Sequence, residues 1–198
     1  MTGGEKQTFR DEDWYGDELG AAVFTECAFH GVDLSEVITA GARFDRCVFH
    51  NCRFNGSVHK ATAFVACDFR RTNFFGATFD GCKLDGSVFT ECTLRPLTVS
   101  GGRWHGVTIR GSNLTKLDLS GVDLREADLS MSVLAGANLR DANLGGAALS
   151  GTDLAEADLR GATLGGADLT AAKLRATRLD LAGAVYLAEL HGAEVDAG

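Results

Sequence analysis

The stretch ADLSMSVLAGANLRDANLGG, residues 127–146, decides the fold. Leucine recurs at 129, 134, 139 and 144, and two positions before each stands a small residue, Ala127, Ser132, Ala137 or Ala142. This period of five matches neither a helix, at about 3.6, nor a strand, at about 2. A backbone that needs one large and one small apolar residue in every five must turn a corner at each repeat.

Followed outward, the register holds from Phe9 to Leu179, which is 35 central positions without an insertion or deletion. All but Thr39 and His59 are Phe, Leu, Trp, Ile or Val. Of the 33 positions lying two before a centre, from Ala22 to Ala182, only Leu97 and Leu117 are bulky beyond valine. Glycine stands two after the centre at 16 of the 35, as in Gly121, Gly136 and Gly146, where a corner can demand positive φ. The two remaining positions are mostly polar, for example Asp128, Arg125, Asn138 and Arg140.

Two inward residues in every five imply a wall five residues long, and four walls close a square coil of twenty. Coils stack at about 4.8 Å, the strand spacing, so about 8.5 coils make a rod roughly 40 Å long. Residues one coil apart then form columns on the same wall. Phe49, Phe69 and Phe89 should stack as core, continued by Leu129, Leu149 and Leu169. Each buried large side chain contributes about 1.5–3 kcal/mol before entropy. The expected fold class is an all-β solenoid.

The repeats ANLRD, ANLGG, ADLRG and ADLTA resemble the A(D/N)LXX motif of the pentapeptide-repeat proteins. The resemblance covers residues 9–182 and implies a right-handed quadrilateral β-helix. Residues 86–99, GSVFTECTLRPLTV, and the early FRDEDW, joined to the tail LAGAVYLAELHGAEVDAG, resemble the DNA gyrase-interacting branch of that family, the MfpA and Qnr type. Loops projecting from the coils, as Qnr-type members carry, have no place in a register that never slips. The resemblance implies a non-enzymatic protein that binds DNA gyrase, with topoisomerase IV as a second target, by mimicking duplex DNA. It would modulate supercoiling and protect against quinolones or another gyrase poison. The alternative is a scaffold solenoid for other protein–protein interactions.

Three segments are expected: a tail at 1–8, the repeat β-helix at 9–182, and a C-terminal helix and tail at 183–198. Pro96 stands in the corner position two after Leu94 and lacks a ladder N–H, so it is either a tolerated corner residue or a kink near 95–104. After Leu179 the period fades. In 181–192, Leu181, Val185 and Ala188 share a helical face with Tyr186 and Leu190 beside it, and Gly192 can stop the helix. Such a helix can cap the last coil. In the resembling family it also joins a homodimer, so these five residues are the expected dimer interface.

Composition excludes several functions. The net charge of −8 argues against direct nucleic-acid binding. No run of 18 apolar residues exists, so no membrane association by a spanning helix is expected. The first 18 residues lack the apolar core of a signal peptide, which points to the cytoplasm. The six cysteines all occupy the small inward position, whereas His30 and His50 alternate outward, so neither a zinc site nor disulfides are expected, and no cofactor. No nucleophile elbow or phosphate loop occurs, so no catalytic residue is assigned. His59 and Thr39, twenty apart, should form a partly buried polar pair with water. The outward acids Asp118, Asp123, Glu126, Asp128, Asp141, Asp153, Asp158 and Asp168 are the candidate gyrase-contacting surface, with a second acidic group at the N-terminal rim, Asp11 to Glu18.

Overall fold

The computed structural model describes residues 3–196. The ends of the 1–8 tail and of the 183–198 segment, residues 1, 2, 197 and 198, lie outside the described residues. The chain winds as a parallel β-solenoid with four walls per coil, and residue i pairs with residue i+20, as Phe29 does with Phe49, Phe49 with Phe69 and Phe69 with Phe89, except beside Pro96. Three walls of the N-terminal half are parallel sheets. The first holds Gly3–Glu5, Val23–Thr25, Arg43–Asp45 and Ala63–Val65. The second holds Thr8–Arg10, Ala28–His30, Val48–His50, Asp68–Arg70 and Val88–Thr90. The fourth holds Glu18–Gly20, Ile38–Ala40, Val58–Lys60, Ala77–Asp80 and Leu97–Ser100. The third wall, and all four walls beyond residue 100, are joined by single bridges, such as Asp13 with Asp33 and Asp118 with Asn138.

Asp and Asn before the central residue recur on the bridged walls. At each of these except Asp68, which lies in a strand, Oδ1 accepts the N–H two residues on. Examples are Asp33 to Ser35, Asn73 to Phe75, Asp118 to Ser120 and Asn143 to Gly145. This local turn competes with the extended ladder. Valine, isoleucine or alanine at that position, as at Val23, Ile38, Val48 and Ala63, suits extended backbone, although Val133 and Ala148 stand on bridged walls.

The core is a set of columns. Phe29, Phe49, Phe69 and Phe89 stack with centroids 4.6–4.8 Å apart, and Phe24, Phe44 and Phe64 do the same one wall earlier at 4.9–5.1 Å. Adjacent columns meet edge to face, as Phe49 does with Phe54, an arrangement that adds to burial. Leu129, Leu149 and Leu169 continue the second-wall column, buried like the phenylalanines.

Most small inward residues with a hydrogen to give donate to the carbonyl 23 positions earlier; Ser57, Thr62 and Ser112 bond elsewhere. Cys47 reaches Phe24, Cys67 reaches Phe44, Thr72 reaches Phe49, Ser87 reaches Phe64 and Thr152 reaches Leu129. The cysteines are therefore corner donors as well as fillers. All six are free thiols, and burial pushes Cys52, Cys82 and Cys92 up to about 11.

Three sequence expectations change, and a fourth, open between two alternatives, is decided. The solenoid begins at Gly3, whose strand pairs with Val23–Thr25, so residues 3–8 are coil and not tail. The helix runs Leu181–Leu190 and is N-capped by Asp180, so it starts before residue 183. His59 and Thr39 are completely buried and not partly so. No water is needed there, because Thr39 Oγ1 lies 2.8 Å from His59 Nδ1 and 2.7 Å from Thr62 Oγ1, and Ser57 Oγ lies 3.0 Å from His59 Nε2.

The fourth concerns Pro96. The coil above it keeps full register, Ala77–Asp80 against Leu97–Ser100. Below it, among the described residues, no backbone hydrogen bond or bridge joins residues 91–101 to 110–120. The bridges Lys83–Arg103 and Val88–Thr108 on the first two walls persist. The coils therefore splay on the third and fourth walls alone, which is a wedge and not a tolerated corner.

Candidate interaction surface

A rod with a filled interior offers function only on its outside. The eight candidate acids lie on every wall. Asp123 is on the first, and Asp128 and Asp168 are on the second, joined through Ala148. Asp153 is on the third, and Asp118 and Asp158 are on the fourth, joined through Asn138. Glu126 and Asp141 occupy corners at φ 57°. The structure thus groups them in opposed pairs and not on one face.

Three of them are neutralised locally by arginine. Arg160 bonds Asp158 at 2.6 Å, with Arg140 at 3.6 Å, and holds its carboxyl well below the usual range. Arg125 bonds Asp123 at 2.7 Å and lowers the pKa of its carboxyl. Arg110 lies 3.6 Å from Asp128, and His105 lies 3.6 Å from Glu126. Asp118, Asp141, Asp153 and Asp168 have no cationic partner among the described residues. Burial raises the Asp118 pKa, but hydrogen bonds from Ser120 and Asn138 outweigh it and the net shift is downward. Thr170 lowers that of Asp168.

The larger uncompensated group is the N-terminal rim. Asp11, Glu12, Asp13, Asp17 and Glu18 make no ion pair among the described residues, and Glu12 accepts from Trp14 Nε1 at 2.9 Å. Arg10 is next in sequence, and Arg53 two coils on is close enough to feel Asp13 but is bonded to Asp33.

The C-terminal helix caps the last coil. Asp180 Oδ1 accepts the Gly183 N–H at 2.8 Å and Oδ2 accepts the Gly161 N–H at 2.7 Å, so one carboxylate ties the helix start to the coil above. Tyr186, Leu187 and Leu190 pack on the core, and Tyr186 donates to the Ala167 carbonyl at 2.8 Å. Tyr186 and Leu190, expected in the dimer interface, are thus engaged with their own coil. Val185 and Ala188 are half-buried, and Leu181 stands 81 % exposed.

The Cys and His residues do not converge. Cys27 and Cys47 face inward, while His30 and His50 face outward on the second wall with rings 5.9 Å apart. Among the described residues no group of three His, Cys, Asp or Glu is placed to hold a metal ion. No helix of the described residues is long and apolar enough to cross a membrane.

These features define an elongated, closed-core repeat solenoid whose chemistry is confined to surface charge. The pentapeptide repeats family model matches residues 27–58, 61–95, 105–141 and 137–175, in eight copies, and the chain belongs to that family. No curated protein matches it. Among solved structures, QnrB1, a plasmid-mediated fluoroquinolone resistance protein, is 23 % identical with a TM-score of 0.60, over 98 % of this chain and 97 % of that one. Its full-length form is 22 % identical with a TM-score of 0.55, over 96 % and 100 %. HetL, a pentapeptide repeat protein involved in heterocyst differentiation regulation from the cyanobacterium Nostoc sp. strain PCC 7120, is 20 % identical with a TM-score of 0.52, over 88 % of each chain. At these identities the likeness is one of fold.

Proposed function

We propose that this chain binds DNA gyrase, and topoisomerase IV through the same surface, as a mimic of duplex DNA. It acts as a homodimer joined through the outer face of its C-terminal helix, with Leu181, Val185 and Ala188 toward the second copy. Binding competes with DNA, modulates supercoiling and protects the enzyme from quinolones or another gyrase poison. The observation that carries the reading is a closed-core rod with carboxylates on all four walls, uncompensated at Asp118, Asp141, Asp153, Asp168 and the N-terminal rim. Duplex DNA likewise presents charge around its whole girth, one per about 1.7 Å of axis. The overall likeness to a fluoroquinolone resistance protein along nearly the full chain supports it.

The test is supercoiling by purified gyrase with the protein titrated in, with and without a quinolone, at two salt concentrations. Inhibition that weakens with salt is expected, because exposed charges are screened beyond about 8–10 Å. Replacing Asp118, Asp141, Asp153 and Asp168 with Asn should weaken it further. Asn is the clean substitution, because Oδ1 of Asp118, Asp153 and Asp168 must still accept the N–H two residues on. No effect on supercoiling or on drug-induced cleavage would leave the scaffold reading.

A further inference from the structure

The wedge beside Pro96 is a break in an otherwise continuous ladder. Elsewhere the N–H of each residue before a centre, and of each centre, meets a neighbouring coil: Asn73 to Cys52, Phe74 to Thr93, Asn138 to Leu117, at 2.9–3.0 Å. At the wedge the N–H groups of Leu94 on the upper lip, and of Asn113 and Asp118 on the lower, meet no carbonyl. Proline cannot donate, and the Gly76 N–H takes the Pro96 carbonyl where the pattern of the coils would offer Arg95. Two grooves result, of about 380 Å³ between Arg95–Leu97 and Thr115–Leu117, and about 420 Å³ between Phe89–Cys92 and Thr108–Asn113. The space behind them, at Trp104, is about 10 Å³, room for at most one water. An occupant therefore pairs at the lips and does not enter the core.

The lips also carry charge. Arg95 and Lys116 face the groove from opposite coils, and neither has a carboxylate partner among the described residues; Arg95 holds only Asn113 Oδ1, at 3.2 Å. Arg110 lines the second groove, opposed by Glu91. In a chain of net charge −8, the lining of the first groove thus holds two cations and no carboxylate beside unpaired main-chain groups, with Asp118 at its edge, whereas Arg110 in the second groove is balanced by Glu91 and Asp128.

We propose that this seam binds an extended acidic peptide segment of a partner protein. The segment adds as a strand to the open lips, with alternate side chains toward Leu97 and Leu117 and the intervening carboxylates toward Arg95 and Lys116. Strand addition of this kind draws affinity from main-chain hydrogen bonds and selectivity from alternate side chains. The lip of one wall is five residues long, about 17 Å, so five or six peptide residues fill it. The proposal does not rest on gyrase binding, since it concerns the open main-chain groups and the Arg95–Lys116 pair; Asp118, at the edge of the seam, is the one residue that the two surfaces share.

The probe is a fluorescein-labelled hexapeptide, Asp-Val-Glu-Val-Asp-Val, read by anisotropy on the full chain. It should bind at least tenfold more tightly than Lys-Val-Lys-Val-Lys-Val and than its own alternately N-methylated form, which lacks half the donors. Arg95→Glu with Lys116→Glu, both exposed, should cost at least tenfold while leaving thermal unfolding unchanged. Amide exchange at Leu94, Asn113 and Asp118 should slow in the complex. Equal affinity for the three peptides, unchanged affinity in the double variant, unslowed exchange at those amides, or equally tight displacement by a single-stranded oligonucleotide would each overturn the proposal.

Discussion

His59 should make the rod acid-labile, and the size of the effect can be worked from its surroundings. The ring lies wholly inside, stacked on Phe79 at 5.2 Å and edge-on to Phe64 at 5.2 Å. The hydroxyls fix its tautomer. Ser57 Oγ donates to the Phe54 carbonyl at 2.8 Å, so it accepts from His59 Nε2–H. His59 Nδ1 then accepts from Thr39, and Thr39 accepts from Thr62. No carboxylate faces the ring, and burial depresses its pKa from 6.5 to about 3. Between those values the unfolded chain binds a proton that the folded chain refuses. The contribution is therefore complete above pH 6.5 and is lost as pH falls toward 3. From the shift to about 3, the loss is about 2 kcal/mol at pH 5 and about 3 kcal/mol at pH 4. Carboxylates also titrate there, so the informative quantity is a difference. In His59→Phe the hydroxyls can re-pair, Thr39 to Thr62 and Thr62 to the Lys60 carbonyl, which already lies 3.2 Å away. The variant should thus fold, at a packing cost or gain of about 1–2 kcal/mol at pH 7. Urea unfolding of both proteins from pH 7.5 to 4 should show the wild type losing about 2 kcal/mol relative to the variant by pH 5. A difference that stays constant across that range would refute the reasoning.

Three other outcomes are expected. Phe69→Ala, which empties a site between Phe49 and Phe89, should cost about 3–5 kcal/mol by chemical denaturation. Ala61→Gly and Ala66→Gly, at corners with φ 46° and 50°, should each stabilise by about 0.5–1 kcal/mol, because left-handed backbone costs alanine more than glycine loses in chain entropy. Leu181→Glu with Val185→Glu should convert a dimer to monomer in sedimentation while Tyr186 and Leu190 keep the cap; an unchanged sedimentation coefficient would place any dimer contact elsewhere.

What could be read from the sequence is what the period of five enforces. A side chain at a central position has nowhere to go but inward, so columns such as Phe49–Phe69–Phe89 follow from counting. Pro96 announced a disturbance, because a missing donor is visible in the residue itself. Its extent was not visible: the lost pairing reaches from Glu91 to Gly101, and depends on how two coils fail to meet. The first coil is hidden in the sequence because Gly3–Glu5 offers no large central residue, and its strand is held by pairing with Val23–Thr25 and by the Cys27 thiol on the Gly4 carbonyl. The helix face was misassigned for a similar reason. Ten residues with apolar groups on most sides leave the choice to the shape of the last coil, and Gly183 permits close approach there, with Leu179 Cδ2 about 3.0 Å from where a Cβ would sit.

The recurrent aspartate is where local and functional readings part. As surface charge, Asp118, Asp123, Asp128, Asp153, Asp158 and Asp168 look alike. In the coil each first accepts the N–H two residues ahead, and that bond makes the wall turn. Asparagine serves the turn as well at Asn73, Asn113, Asn138 and Asn143, so the motif's tolerance of either residue is a backbone requirement and carries no information about charge. The charge that remains for a partner is what the turn does not require and no arginine cancels. Where arginine follows two residues on, as at Arg125 and Arg160, the same carboxylate is used twice and little field escapes. The strongest negative field should therefore lie at the N-terminal rim and at corner acids such as Asp141, positions the repeat itself leaves free to vary.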